Sequence, residues 1–216
     1  MKYNYRTGIA SKSRAVGFLT VVPLLGIIGG IYMLANTLAP NLPSDVTGES
    51  ALVTQTLTKH QPSLKEDRLY VPKLGVDVAI VTGVTDKTLE GGAWHRQPQN
   101  GDPTTGGNFV LAAHRFNLGL TPQQTRAKSP FYNIDKLGDD DDVYVDFHGV
   151  RYAYKVTHRY KVNSEDIAIE NRSDAPKMTL YSCDLRGPKA GREVVEAHPV
   201  GTVAWVNGTP KLKVSQ

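Results

Sequence analysis

The only cysteine of this chain, Cys183, ends the alternating stretch TLYSC and precedes the polar loop DLRGPKAG. A lone cysteine is often a small buried hydrophobic residue, whereas a position at the end of a strand brings a side chain towards solvent. A free thiol has a pKa of about 8.5, so a nucleophilic cysteine needs a cationic partner at neutral pH. The pattern leaves both alternatives open, and a single cysteine excludes an intrachain disulfide and a cysteine-based zinc site.

One histidine stands out as that partner. His114 ends the apolar run NFVLAAHR, just as Cys183 ends its own run, whereas His95 lies in a Gly- and Trp-containing turn and stays a second candidate. The remaining histidines fit a linker, a hairpin turn or a strand surface: His60, His148, His158 and His198. No two histidines have the spacing of a zinc-binding helix.

An acyl-transfer site also needs a group that stabilises the negative oxygen of the tetrahedral intermediate. Arg192 opens the apolar run REVVEAH, nine residues after Cys183, and a guanidinium offers several donors and a permanent charge. Arg115 and Arg186 are competitors, and an arginine at the start of a strand can also be a solvated edge residue. Spacing alone favours Arg192 only slightly.

Short strands must position these residues. Alternating runs between turn residues predict seven or eight strands over residues 68–216, in a mostly β closed barrel or sandwich with one or two short helices. The clearest is a hairpin that turns at His148 and Gly149. Residues 129–138 are predicted to form a short helix with Phe131, Ile134 and Leu137 on one face.

The N-terminal part predicts a membrane anchor. Residues 16–39 are free of charge and long enough to cross a bilayer, whereas the apolar core of a signal peptide is usually shorter. The basic residues of the tail 1–15 place the N-terminus in the cytoplasm and the catalytic domain outside the plasma membrane, after an extracellular stalk over residues 40–67. This tail accounts for the net charge of +4, so no nucleic-acid partner is predicted.

The motifs together resemble those of sortases, the membrane-anchored cysteine transpeptidases of bacterial surfaces. TLYSC followed by REVVEAH resembles the family's TLxTC…R signature, and LYVPKLGVDVAIVTG, GGNFVLAAHR and PFYNIDKLGDDDDVYVD match its other segments in order across residues 68–206. The resemblance implies a sortase-type barrel, with Cys183 as nucleophile, His114 as the family histidine and Arg192 as the family arginine. Ser182 replaces the usual threonine and is assigned to substrate binding, and Ala113 replaces the usual glycine.

The resemblance also implies substrates and partners. These are exported proteins with an LPxTG-like sorting signal, cleaved between Thr and Gly, and an amine acceptor from a cell-wall precursor or a pilin lysine. No cofactor is expected, although some sortases bind calcium through acidic loops. The run GDDDDV, residues 138–143, could supply such ligands, but it is also typical of a solvated turn. Two other functions stay open: a non-catalytic, membrane-tethered peptide- or wall-binding barrel, and a hydrolytic cysteine peptidase with the same residues.

Overall fold

A computed structural model of the chain describes residues 13–214, with side chains from residue 21 onwards. Residues 1–12 of the predicted basic tail lie outside the described part. The described residues form four helices and ten strands. The strands are β1 (Arg68–Val71), β2 (Val76–Val81), β3 (Ala93–Arg96), β4 (Gly101–Asp102), β5 (Gly106–Ala112), β6 (Asp142–Phe147), β7 (Val150–Val162), β8 (Lys177–Asp184), β9 (Gly187–Val206) and β10 (Thr209–Val214). The helices are α1 (Ser13–Leu38), α2 (Ser44–Thr47), α3 (Glu49–Lys59) and α4 (Pro122–Ala127).

Eight strands form a closed ring in the order β9, β7, β6, β1, β2, β3, β5, β8 and back to β9. The pairs β2–β3 and β5–β8 are parallel, and the others in the ring are antiparallel. Strands β4 and β10 extend the sheet beyond the ring at β5 and β9. The predicted mostly β closed barrel is therefore confirmed.

The barrel interior is filled by every second residue of the strands, because successive side chains of a strand point to opposite faces. On β6, Val143, Val145 and Phe147 are buried, and they pack with residues of β5, β8 and β9 in one core. The predicted hairpin between β6 and β7 turns at His148 and Gly149, whose φ angles of 49° and 79° suit a two-residue type I′ turn.

The predicted helix at 129–138 is replaced by turns and one short 3-10 helix, Ile134–Lys136. Its expected apolar face is nevertheless present, since Phe131, Ile134 and Leu137 are all buried in the core. The segment between β5 and these turns contains α4. Thr121 caps this helix by accepting a hydrogen bond from the backbone N–H of Gln124 at 3.2 Å.

Helix α1 fits a single-pass membrane anchor. The candidate span Val21–Asn41 is apolar, and most of its side chains are exposed on the protein surface. Such a helix is long enough to cross a bilayer.

The segment predicted as a stalk, residues 40–67, contains regular structure. In α3, Val53 and Leu57 are buried against Tyr70 of β1. Buried Arg151 of β7 also donates a 2.7 Å hydrogen bond to the carbonyl oxygen of Leu57. The helix thus packs on the barrel, a contact that the polar composition of the segment did not indicate. The domain boundaries themselves stay a prediction.

Candidate functional site

Strand register brings Cys183 and Arg192 side by side. In the antiparallel pair β8–β9, Cys183 lies directly opposite Arg192. In the parallel pair β5–β8, Ala112 lies opposite Tyr181, and the N–H of Ala113 donates a 3.2 Å hydrogen bond to the carbonyl oxygen of Tyr181. Strand β5 ends at Ala112, and His114 lies two residues beyond it, as Cys183 lies two residues beyond Tyr181. Continued in the same register, the chain would bring His114 level with Cys183.

These three positions also share one face of the sheet. The barrel core contains Leu111 and Ala113 of the β5 segment, Met178 and Leu180 of β8, and Val195 and Ala197 of β9. Because side chains alternate, His114, Cys183 and Arg192 have the opposite parity and belong to the outer face. Ala113, at the position where sortases usually have glycine, has its methyl group in the core.

Cys183 is a free, half-buried thiol near the end of β8. The ladder with β9 shifts immediately after it, because Asp184 pairs with Gly187 whereas Cys183 pairs with Arg192. The four residues 188–191 are therefore extra residues at the start of β9, and they form a bulge beside the thiol. A half-buried thiol next to such a bulge is accessible, as nucleophilic catalysis requires.

His114 contacts a carboxylate that sequence reasoning missed. Its Nε2 atom lies 3.3 Å from Oε1 of Glu90, and the Nδ2 of Asn117 donates a 3.0 Å hydrogen bond to the same oxygen. The His114 side chain is 27% exposed, and its Nε2 has no hydrogen bond of good geometry within the described residues. Glu90 lies in a turn-rich segment, where no local pattern marks it as a neighbour of His114.

A cavity of about 310 Å³ opens beside His114. Charged and polar side chains share its wall with the glycine pair at 91–92, namely Arg68, Asp77, Glu90, Asn117 and Lys128. Val78, Leu89 and Pro130 also line the cavity, so its wall is both polar and apolar, and it can admit a small group or water during a reaction.

The Arg192 side chain is held by its own loop. Its Nη1 donates hydrogen bonds to the carbonyl oxygens of Pro188, at 2.6 Å, and Gly191, at 3.0 Å. Gly191 has a φ angle of 130°, and a Cβ atom there would lie 2.6 Å from the carbonyl oxygen of Val162. Glycine is therefore required at this position, and it allows the loop to fold tightly against β7 immediately before Arg192.

Ser182 lies on the inner face of β8, where its side chain is buried. Its hydroxyl donates a weak 3.4 Å hydrogen bond to the carbonyl oxygen of Cys183. The substrate-binding role of Ser182 stays a prediction, and this position favours an effect on the Cys183 backbone over direct contact with substrate.

The competing candidates have structural partners. Arg115 is buried and donates a 2.7 Å hydrogen bond to Asp135, and Arg186 pairs with Asp184 at 3.0 Å in the exposed loop. His95 is buried in the barrel, where its Nε2 lies 3.1 Å from the carbonyl oxygen of Gly101. Burial lowers the pKa of His95 and favours the neutral imidazole.

A polar cluster lies next to Cys183 on the outer face. Glu170, in the loop between β7 and β8, accepts hydrogen bonds from Arg96 of β3 at 2.8 Å and from the Tyr181 hydroxyl. Burial alone would raise the pKa of Glu170, but the hydrogen bonds from Arg96, Tyr181 and Gln97 outweigh burial and hold this pKa below its usual range. The carboxylate thus fixes the loop over β3 and β8.

The acidic run forms a turn between the 3-10 helix and β6. Asp141 accepts hydrogen bonds from the backbone N–H of Gly138 and from Lys73, both at 2.7 Å, and Asp142 lies 2.9 Å from Lys155. Within residues 13–214, no group of three or more His, Cys, Asp or Glu side chains has a geometry that could hold a metal ion.

A closed barrel that presents a thiol, an imidazole and a guanidinium on one face is suited to cysteine-dependent acyl transfer. The family model described as the Sortase domain matches residues 69–200. The chain belongs to the sortase family, whose members are in general cysteine transpeptidases.

Solved structures support the same fold. Sortase A from Listeria monocytogenes is 18% identical, with a TM-score of 0.53, and the match covers 68% of this chain and 90% of that one. Sortase E from Streptomyces avermitilis is 23% identical, with a TM-score of 0.52, covering 66% and 90%. A Clostridium perfringens sortase D5 transpeptidase is 20% identical, with a TM-score of 0.52, covering 77% and 99%. No curated protein matches the chain.

Proposed function

We propose that this sortase cleaves an LPxTG-like sorting signal between Thr and Gly and transfers the acyl portion to an amine. The observation that supports the proposal is the register that pairs Cys183 with Arg192, together with the Ala112–Tyr181 pair, from which the chain continues to His114 on one side and to Cys183 on the other. The family membership supports the same chemistry.

In the first half-reaction, the Cys183 thiolate attacks the carbonyl carbon of the threonine and forms a tetrahedral intermediate. The Arg192 guanidinium donates hydrogen bonds to the negative oxygen once its side chain turns from Pro188 and Gly191 towards the thiol. When the C–N bond breaks, the His114 imidazolium gives its proton to the leaving amine of the glycine. The products are a thioester on Cys183 and a neutral imidazole.

In the second half-reaction, the acceptor amine attacks the thioester carbonyl, and His114 takes the proton that the amine loses. The C–S bond then breaks and restores the Cys183 thiolate beside the imidazolium. The acceptor is an amine of a cell-wall precursor or of a pilin lysine. No external energy source is needed, since the energy of the cleaved amide is held in the thioester.

We also propose that the chain is a single-pass plasma-membrane protein with a cytoplasmic N-terminus. The basic residues Lys2, Arg6, Lys12 and Arg14 precede the apolar helix, and positive charge favours the cytoplasmic side. The exported partner proteins then meet the barrel outside the membrane. Catalysis as proposed needs no cofactor, because the nucleophile, the acid and the oxyanion donor are all side chains. A calcium titration of the rate tests the alternative at the acidic turn.

The test is intact-mass spectrometry of the full chain, in lipid nanodiscs, incubated with a pool of LPxTG-like peptides. We expect an adduct with the mass of the acyl portion, which hydroxylamine removes and which Cys183→Ala lacks. Arg186→Ala is the matched control, since it removes an exposed side chain close to Cys183 in the chain and keeps the thiol.

Adding an amine separates transfer from hydrolysis. An amide product that grows with amine concentration supports the transpeptidase, whereas free acid at every amine concentration indicates a cysteine peptidase. If no adduct forms and Cys183 of the folded protein resists a small alkylating agent, the barrel is a non-catalytic binding module.

A further inference from the structure

In the segment just after His114, apolar side chains point to solvent and the residues between them are less exposed. Phe116, Leu118 and Leu120 are 42%, 45% and 75% exposed. The residues between them, Asn117 and Gly119, lie closer to the protein. A surface strand or loop in water normally shows the opposite order, with polar side chains outside.

This outward display is fixed by hydrogen bonds along the segment. The N–H of Asn117 donates to the Ser129 hydroxyl at 2.9 Å, and the N–H of Gly119 donates to the Thr125 hydroxyl at 3.0 Å. The N–H of Leu120 donates to the side-chain oxygen of Gln124 at 2.9 Å. Each backbone donor is satisfied from the protein side, so the three apolar side chains are held outwards.

The same segment contacts the apolar helix α1. The hydroxyl of Tyr32, within the span Val21–Asn41, donates a 2.6 Å hydrogen bond to the carbonyl oxygen of Leu120. The buried side chain of Asn36, one turn further along α1, accepts a 3.4 Å hydrogen bond from Thr125. The residues that follow Tyr32 are partly covered by protein, since Asn36 and Ala39 are buried and bond to Thr125 and Arg126. The part of α1 that is free to contact lipid on all sides therefore ends near Tyr32, and tyrosine is enriched where a membrane helix leaves the hydrocarbon.

We propose that Phe116, Leu118 and Leu120 form a second membrane contact, which inserts into the interfacial layer of the leaflet on the barrel's side. Their continuity with α1 identifies the occupant as lipid, because the backbone of Leu120 is bonded to Tyr32, where the fully lipid-exposed part of the helix ends. A side chain that points outwards at this level meets the headgroups and first acyl carbons. An exposed apolar patch at this level is stabilised by lipid and not by water. Because Phe116 follows His114 by two residues, the contact holds the histidine side of the site at the membrane surface.

The test places one fluorescent label at a time on the full chain in vesicles. In a Cys183→Ala background, Leu118→Cys carries an environment-sensitive dye, and the vesicles contain lipids with a spin label near the headgroup end of the acyl chain. Ile167→Cys is the control, an exposed apolar position in the loop that Glu170 fixes over β3 and β8. Val22→Cys, on α1, reports insertion of the anchor.

We expect quenching at residue 118 to be several-fold stronger than at residue 167, with a blue-shifted emission. Leu120→Cys, at the most exposed of the three positions, repeats the measurement if labelling at residue 118 disturbs folding. Quenching at residues 118 and 120 equal to that at residue 167, with Val22→Cys quenched, overturns the contact and leaves the anchor standing. If Val22→Cys is also unquenched, the anchor and the contact are both wrong. Neither result bears on the acyl transfer, which the mass measurement tests separately.

Discussion

The segment that follows His114 and the loop that precedes Arg192 border the same candidate site, but they are held in different ways. Residues 115–133 are tied to distant parts of the chain, whereas residues 184–191 bond mostly to themselves. The difference indicates how His114 and Arg192, the two proposed catalytic partners of Cys183, are positioned.

Arg126 makes more of the side-chain contacts that link residues 115–133 to distant parts of the chain than any other residue. Its guanidinium pairs with Glu49 of α3 and donates hydrogen bonds to the carbonyl oxygens of Ala39, at 2.6 Å, and Leu42, at 2.9 Å. The side chain of Asn133 donates a further 2.9 Å hydrogen bond to the carbonyl oxygen of Pro40. The connection between the anchor and the barrel is thereby fixed on the segment that carries His114.

The loop before Arg192 has few such ties. Asp184 accepts hydrogen bonds from the backbone and side chain of Arg186 at 2.8 and 3.0 Å, and Arg192 bonds to the carbonyl oxygens of its own loop. Its exposed backbone and local bonds are typical of a segment of low local stability. The segment after His114 is thus held by contacts to distant parts of the chain, whereas Arg192 is held by the local bonds of the residues that precede it.

The substitution Arg192→Ala tests the side of the comparison that concerns the arginine, and it is expected to have the largest effect on catalysis. Loss of an oxyanion donor typically lowers kcat by about 10²- to 10³-fold, and we expect kcat/KM for thioester formation to fall by a similar factor. The control is Arg186→Ala, which removes another arginine of the same loop and should change the rate by less than about twofold, since its ion pair is exposed. Similar losses in both variants would indicate that the whole loop, and not Arg192, supports catalysis.

Arg126→Ala tests the other side of the comparison. Removing a charged donor from partly buried acceptors costs about 1–3 kcal/mol, so the free energy of unfolding should fall by that amount. Tryptophan fluorescence during urea unfolding in detergent measures it, because Trp94 and Trp205 both lie in the barrel strands. Lys128→Ala, an exposed residue next to α4, should leave the free energy unchanged. An equal loss in both variants contradicts a specific tie at Arg126.

Alternation along the strands predicted a mostly β barrel or sandwich, and the resemblance to sortases favoured the closed barrel that the structure has. Alternation in β6 and β7 predicted the hairpin, and the apolar runs that end at His114 and Cys183 singled out these two residues as catalytic candidates, which stay a prediction. These signals are local, since they depend on residues within one strand or turn.

Contacts across long sequence distances could not be predicted in this way. Arg126 meets Glu49, which is 77 residues away, and Arg151 meets Leu57, which is 94 residues away. Neither pair leaves a local pattern, and the polar sequence of residues 40–67 therefore predicts a stalk where the structure has helix α3 on the barrel. Glu90 was missed for the same reason, because only the tertiary fold brings it to His114.

Glu170, in the loop between β7 and β8, also lies near the candidate site. It should make the free energy of unfolding of the protein depend on pH. Hydrogen bonds hold the pKa of Glu170 below its usual range although burial acts to raise it. The contribution of Glu170 to the free energy of unfolding is therefore complete above the unfolded pKa and is lost as the pH falls through the lower folded value. The effect on the free energy of unfolding should be on the order of 1 kcal/mol or less, because solvent screens the group in part. Urea unfolding at a series of pH values from neutral to acidic measures it.

Glu170→Gln should flatten that pH dependence, whereas Glu165→Gln, on the exposed side of the same loop, should leave it intact. A pH profile of Glu170→Gln that matches the unmodified protein would mean that other carboxylates carry the acid sensitivity.

The smallest effect on activity is expected from a substitution of Glu90, which contacts both His114 and Asn117 of the segment that follows it. The carboxylate lies between His114 and Asn117, but its side chain is about half exposed, and an exposed ion pair contributes about 1 kcal/mol at most. Glu90→Gln keeps the shape and a hydrogen-bonding oxygen for Asn117, so the free energy of unfolding should not change, and kcat/KM should fall by about fivefold or less. Asp86→Asn, an exposed carboxylate of the same 3-10 segment, is the control. A loss as large as that of Arg192→Ala would show that His114 depends on Glu90 for its position, and the scaffold would then extend through this carboxylate to the imidazole.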